Sequence, residues 1–141
     1  MRIWSKQLIS VLPREQLVSQ WRELSAIAGA IQKNGTPNHI LVNKVCQYSW
    51  NHFISYAYWL RQEMTKRGYK TMDSVWNKII GLDPNFMLLP FDKIYHDWHN
   101  ERYLRQCYFN LQEKYDCGGI DQNDWLRIYQ SIPYNWRDTY E

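Results

Sequence analysis

Gln20-Trp21-Arg22-Glu23-Leu24 decides how this chain is read, taken together with its start, Met1-Arg2-Ile3-Trp4. Between them, Gln7-Leu8-Ile9-Ser10-Val11-Leu12 leads to Pro13, a residue well suited to the first position of a helix. From there Leu17, Val18, Trp21, Leu24, Ala28 and Ile31 fall along one side of a helical period, so a helix from about 13 to about 33 buries that stripe. Glu23 lies about 100° round the helix from Leu24 and so flanks the stripe, half buried beside Arg22. A carboxylate in that position is a candidate functional group.

Outward from this helix the pattern stays helical. Residues 1–12 read as an extended or loosely helical segment. Asn34-Gly35 supplies a left-handed stop, and Thr36-Pro37 a new cap before a short helix or turn over 37–47. Ser49 caps a longer helix to Arg67 with Phe53, Ile54, Ala57, Leu60 and Met64 spaced for burial and Gly68 past its end. Thr71 caps a helix through Ile80. Pro90 precedes a long amphipathic candidate over about 91–115, and Asp121 starts a final helix that Pro133 ends. No stretch alternates with period two, and there is no internal repeat. The expected fold is all-α: one domain over residues 1–141, with four to six helices and the N-terminal segment packed between them.

The composition sets bounds. At 141 residues the chain can hold one real core. Eight Trp and eleven Tyr exceed the usual needs of a small core, which leaves an aromatic working surface and an aromatic-rich core about equally expected. A net charge of +3 permits an anionic partner without demanding one. Cys46, Cys107 and Cys117 are too few and too scattered for a disulfide framework or a zinc site, and point to reduced, mostly structural thiols. There is no apolar leader and no run of membrane-spanning length, so a cytoplasmic location is expected, without a membrane partner.

Several tempting sites carry less weight than Glu23. His96-x-x-His99 has a spacing that binds metal, but it stands alone and reads as a surface pair, so no metal is expected. Cys46 near His39 or His52 lacks a nucleophile motif and reads as a buried structural thiol. Lys66-Arg67 before Gly68 is what a helix C-terminus favours by itself. Combined with Arg2, Arg22 and exposed aromatic rings, however, it makes a kit for holding phosphates while bases stack.

Arg2-Ile3 beside the amino terminus, Leu17, and Trp21-Arg22-Glu23-Leu24 at this distance resemble the pyrimidine-dimer DNA glycosylases of the phage endonuclease V type. Asn38-His39-Ile40-Leu41-Val42-Asn43-Lys44 is similar to that family's His-led apolar segment, and Lys66-Arg67-Gly68-Tyr69 to its Lys-Arg-Gly-aromatic turn. Leu89-Pro90 and the helix bearing Arg102 extend the match. The resemblance implies an N-glycosylase and abasic-site lyase acting as a monomer on damaged duplex DNA without a cofactor. The α-amine at position 1 would attack C1′ and form an imine, and Glu23 would stabilise the cationic sugar and move protons. Arg2, Arg22, His39, Lys66, Arg67 and Arg102 would contact DNA.

The chain departs from the family in three places. The family's mature end is usually a Thr exposed by removal of Met. Here the bulky Arg2 follows Met1, so Met1 is expected to be retained and its nitrogen to be the nucleophile. Gln16 stands where the family has a His, and Ala26 where it has a further phosphate-binding Arg. Tyr134-Asn135-Trp136 only loosely echoes the family's aromatic tail. The alternative is a non-catalytic helical module that binds a nucleic acid or a protein on the same scaffold.

Overall fold

Leu17, Trp21, Leu24, Ala28 and Ile31 are all buried along α1 (Arg14–Asn34), as their spacing requires. Pro13 precedes the helix, one residue earlier than expected, and Gly35 at φ +80° ends it with its N–H on the Ile31 carbonyl, 2.7 Å. The computed structural model describes residues 1–136. Four more helices follow, α2 (Trp50–Lys66), α3 (Asp73–Ile80), α4 (Glu101–Asp116) and α5 (Gln122–Ser131). Short 3₁₀ segments lie at Lys6–Val11, Asn43–Gln47, Phe91–Lys93 and Tyr134–Trp136, and no strand occurs among the described residues. The fold is all-α, as read. α1 packs on α2 and α3, while α5 covers the 3₁₀ segment at 6–11 and touches α4. Among the described residues no helix is long and apolar enough to cross a membrane.

α2 buries Phe53, Ile54, Ala57, Leu60 and Met64 and stops at Gly68, φ +83°. The Tyr69 N–H reaches back to the Met64 carbonyl at 2.8 Å and closes the end. Arg67, at this turn, points inward. Its guanidinium pairs with Glu63 at 2.7 Å and donates to the carbonyls of Leu12 (2.7 Å), Ser10 (3.1 Å) and Ile9 (3.4 Å), with 14% of the side chain exposed. It ties the end of the N-terminal segment to α2. Arg67→Met should therefore lower stability by about 2 kcal/mol, because three carbonyls and a carboxylate lose a charged donor together. Urea denaturation reads this directly, and an unchanged midpoint would show that water replaces the guanidinium at no cost.

Three elements differ from the sequence reading. The helix expected over 91–115 starts only at Glu101. Tyr95 takes φ +48°, its N–H donates to His52 Nδ1 at 3.0 Å, and Asn100 caps the true start by accepting from the Tyr103 N–H at 2.9 Å. Ile94, Tyr95 and Trp98 are buried by this turn rather than by a helix face. His99 is buried as well, so the His96/His99 surface pair does not exist. Thr71 does not cap α3: its hydroxyl accepts from Arg61 Nε at 2.7 Å, and Met72 precedes the helix. Thr36 likewise starts no helix, but its hydroxyl accepts from the Asn38 N–H at 3.1 Å and shapes a turn.

The aromatic surplus serves mainly the core. Tyr56, Tyr95, Trp98 and Tyr108 are buried, and Tyr95 meets Trp98 edge to face with centroids 4.8 Å apart. Trp136 of the tail is also buried, under the Arg105 guanidinium, 4.8 Å from its ring centre. All three cysteines are free; Cys107 is buried, but Cys46, expected inside, is exposed.

Candidate active site

Residues 2–5 lead without regular structure into the 3₁₀ segment that starts at Lys6, and no strand pairs with them among the described residues, so their backbone groups need other partners. Side chains supply them. The Trp4 N–H donates to Gln20 Oε1 at 2.8 Å, and Gln20 Nε2 donates to the Arg2 carbonyl at 3.0 Å. One buried amide thus stands in for a rung of a β-ladder, and its two opposite demands fix which end is oxygen. Tyr103 donates to the Ile3 carbonyl, and Tyr56 to the Trp4 carbonyl at 2.6 Å. The Ser5 N–H points at Cys107 Sγ, 3.4 Å, and the Lys6 N–H donates to His99 Nδ1, 3.0 Å. Groups from α1, α2, α4 and the 94–100 turn therefore hold the segment from every side.

The burial that makes this clamp also sets its ionisation. The His99 imidazole is pushed down to about 3, first by burial and then by Lys6 and Lys44, so it is neutral and accepts through Nδ1. Burial holds the Cys107 thiol up, against the Ser5 N–H and Arg2, and keeps it protonated. The Tyr56 phenol is raised well above its usual range by burial and donates as a neutral hydroxyl.

Glu23 stands at the open end of this clamp. The Arg2 backbone N–H acts on its carboxylate, and Gln20 Nε2 lies 3.4 Å from Oε2. Burial is the largest influence and raises the carboxyl above its ordinary value; the Met1 amine, the Arg2 N–H, His39 and Lys114 pull the other way. Met1 itself is about half exposed, 49%. A half-buried carboxylate thus lies within electrostatic reach of the chain's amine, His39 and Lys114. Among the described residues no close ion pair consumes Glu23.

The structure brings some of the expected site residues together and separates others. Met1, the Arg2 backbone and His39 all act on Glu23, although the Arg2 guanidinium turns back over the Trp4 ring, 5.3 Å, toward Cys107 Sγ, 3.9 Å. Arg22 is exposed and lines a cleft of about 490 Å³ with Arg14, Gln16 and Asp121. Arg14 and Asp124 also line the adjoining hollow of about 530 Å³, which contains Lys66, Arg67 and Arg127. Cations and carboxylates mix along these two hollows, where Arg14, Arg22, Lys66 and Arg127 stand among Glu15, Asp121, Asp124 and Glu63 and Arg127 pairs with Asp124 at 2.6 Å, while Arg67 belongs to the clamp on Leu12. Arg102 is exposed in the first turn of α4, about 18 Å along the axis from Lys114, the α4 cation that acts on Glu23. Another hollow, about 580 Å³ between Lys6, Trp59 and Phe91, contains none of Met1, Gln20 and Glu23.

Gln20, Tyr56, Tyr103, Cys107 and Lys114 escaped the sequence reading. Lys114 left a trace there, since it follows Tyr103 by about three helical turns on the same side of α4. Gln20 also left one, as a polar residue one turn before Leu24 on the buried stripe. Among the described residues no three His, Cys, Asp or Glu side chains converge closely enough to hold a metal ion.

No curated protein and no solved structure matches the chain significantly. A family profile described as pyrimidine dimer DNA glycosylase does match, over residues 1–77, which include the amine, the Gln20 amide, Glu23 and His39. With more than half of its 141 residues inside that match, and with damaged DNA as the substrate the match names, the chain belongs to the pyrimidine dimer DNA glycosylase family.

Proposed function

We propose that the protein removes a damaged base from duplex DNA with the Met1 amine as nucleophile and then breaks the strand at the abasic site. The observation that supports this reading is the clamp: the backbone of residues 2–4 is fixed, and the amine lies within electrostatic reach of a half-buried carboxylate, Glu23. An α-amine is less basic than a lysine side chain, so more of it is neutral and nucleophilic near neutral pH. It attacks C1′, the N-glycosidic bond breaks, and the base leaves with a proton. The amine passes a proton by way of Glu23 to O4′ as the sugar ring opens, which gives an iminium ion beside the regenerated carboxylate, while water supplies the proton that leaves with the base. Removal of a C2′ proton then expels the 3′ phosphate, and water releases the protein. Each step is polar, so the balance calls for no oxidant. Arg2, His39 and Lys114 add positive potential around the sugar, and Arg22 and Lys66 mark a path for backbone phosphates.

Borohydride reduction of the protein on a duplex with one abasic site tests this. A covalent adduct that disappears after acetylation of the amine is expected, with an intact mass that includes Met1. Well-folded protein that gives no adduct overturns the reading in favour of a non-catalytic binder. The rate should fall on the acid side at a higher pH than an ordinary carboxylate would give, because Glu23 must be ionised and burial raises its pKa. A pH profile of trapping rates checks the position of that limb. Arg22→Ala should weaken binding to all duplexes alike and reduce the slope of log K against log salt by about 1. Titrations at several salt concentrations read it.

A further inference from the structure

The turn between α1 and α2 places two large apolar side chains in water: Ile40 is 88% exposed and Leu41 51%. The turn beneath them is not slack. Asn38 takes φ +53°, a left-handed conformation that asparagine tolerates better than most residues with a side chain, and it shapes the turn. The His39 carbonyl accepts from the N–H groups of Val42 (2.9 Å) and Asn43 (2.8 Å), and the His39 N–H donates to Asn43 Oδ1 at 2.9 Å. Val42 and Val45 anchor it in the core, both at 0% exposure. Folding therefore leaves exposed apolar surface on an ordered tip.

The tip adjoins the site, since the charge of His39 acts on Glu23, and His39 Nδ1 is buried without a hydrogen-bond partner. Its charge surroundings also set it apart. From residue 24 to residue 62 there is no Asp or Glu, while Lys33, Lys44 and Arg61 are all cationic. Elsewhere Met72 and Phe91 stand directly beside Asp73 and Asp92, and Met87, Leu88, Phe109 and Leu126 each lie within four residues of an Asp or Glu. An apolar tip on an acid-free stretch suits a polyanion with an apolar interior, which describes stacked duplex DNA.

We propose that Ile40 and Leu41 form a wedge that enters the base stack of the duplex next to the nucleotide held at Glu23. This rests on the DNA reading above and adds the element that opens the stack. Aliphatic side chains inserted between base steps unstack them and kink the duplex, and the bend brings more phosphate onto the protein. Here the wedge replaces the displaced neighbour and leaves the deoxyribose C1′ open to the amine.

The probe is a duplex with one abasic site and a 2-aminopurine beside it. Wild-type protein at saturation should raise the 2-aminopurine fluorescence. The double variant Ile40→Ser/Leu41→Ser should lose most of that rise and bind about tenfold more weakly, with the salt slope unchanged because no phosphate contact is removed. Both side chains project into solvent, so folding should persist; Ile40→Ser alone, at the more exposed position, should show a part of the same loss. A double variant that retains the full rise and binds within about twofold overturns the wedge. A wild-type protein that forms the borohydride adduct without any fluorescence rise also removes the wedge and leaves the enzyme reading standing. Absence of any adduct withdraws both.

Discussion

Glu23→Gln should slow formation of the borohydride-reducible adduct by about 10²–10⁴-fold, the range for loss of a positioned acid–base group, and should at the same time make the folded protein slightly more stable near neutral pH. The two effects have one origin. Burial raises the Glu23 carboxyl above its ordinary value, so the folded chain holds that proton more tightly than the unfolded chain. As pH rises through the unfolded and then the folded value, ionisation favours the unfolded state, and stability is lost. At neutral pH the ionised carboxylate is therefore a net cost, which glutamine removes without changing shape. Because the group is only half buried, the gain should be a few tenths of a kcal/mol. It should vanish in acid, below the ordinary carboxylate range, where Glu23 is neutral in both states. Thermal melts of the two proteins at neutral and acid pH measure it. A variant that loses activity and stability together would mean that Glu23 is a structural residue.

Gln20→Leu should do more damage to the fold than any other single change at the site. It keeps the volume but leaves the Trp4 N–H and the Arg2 carbonyl buried without partners. At about 1–3 kcal/mol for each orphaned group, the loss should be about 2–4 kcal/mol once partial relaxation is allowed for. Trapping should fall about 10²-fold even at temperatures where the protein remains folded, because an ångström of drift at the amine spoils the angle of attack. Gln20→Glu separates the two roles of the amide. Its carboxylate can still accept from Trp4 but cannot donate to Arg2, and it sets a second negative charge beside Glu23. It should fold better than the leucine variant and still trap poorly. Urea denaturation and trapping rates read the pair; a Gln20→Leu protein with unaltered trapping would show that the amine finds its place without the clamp.

The readable part of this protein is its local part. α1 and α2 could be placed because their buried positions repeat at helical spacing and glycines with positive φ end them. Glu23 could be seen as half buried for the same reason. The segment 91–100 misled because Ile94 and Trp98 also fit a helical period, whereas the residue that breaks it, Tyr95, owes its conformation to His52, 43 positions earlier. Arg67 looked like part of a basic turn, and nothing in Lys66-Arg67-Gly68 announces three carbonyls from residues 9–12. The clamp was hidden most deeply. Cys107 and Tyr103 meet the N-terminal segment across 102 and 100 positions, a separation at which no periodicity survives.

That same separation has a kinetic consequence. Residues 2–6 are the first of these to leave the ribosome, and they cannot be locked until His99, Tyr103 and Cys107 have been made and folded back onto them. The end that carries the proposed nucleophile should therefore become ordered late, and until then it stays loose and open to any amine-modifying or trimming enzyme. Met1 stays half exposed in the folded chain, so synthesis lengthens the time over which that nitrogen can be modified without being the sole occasion for it.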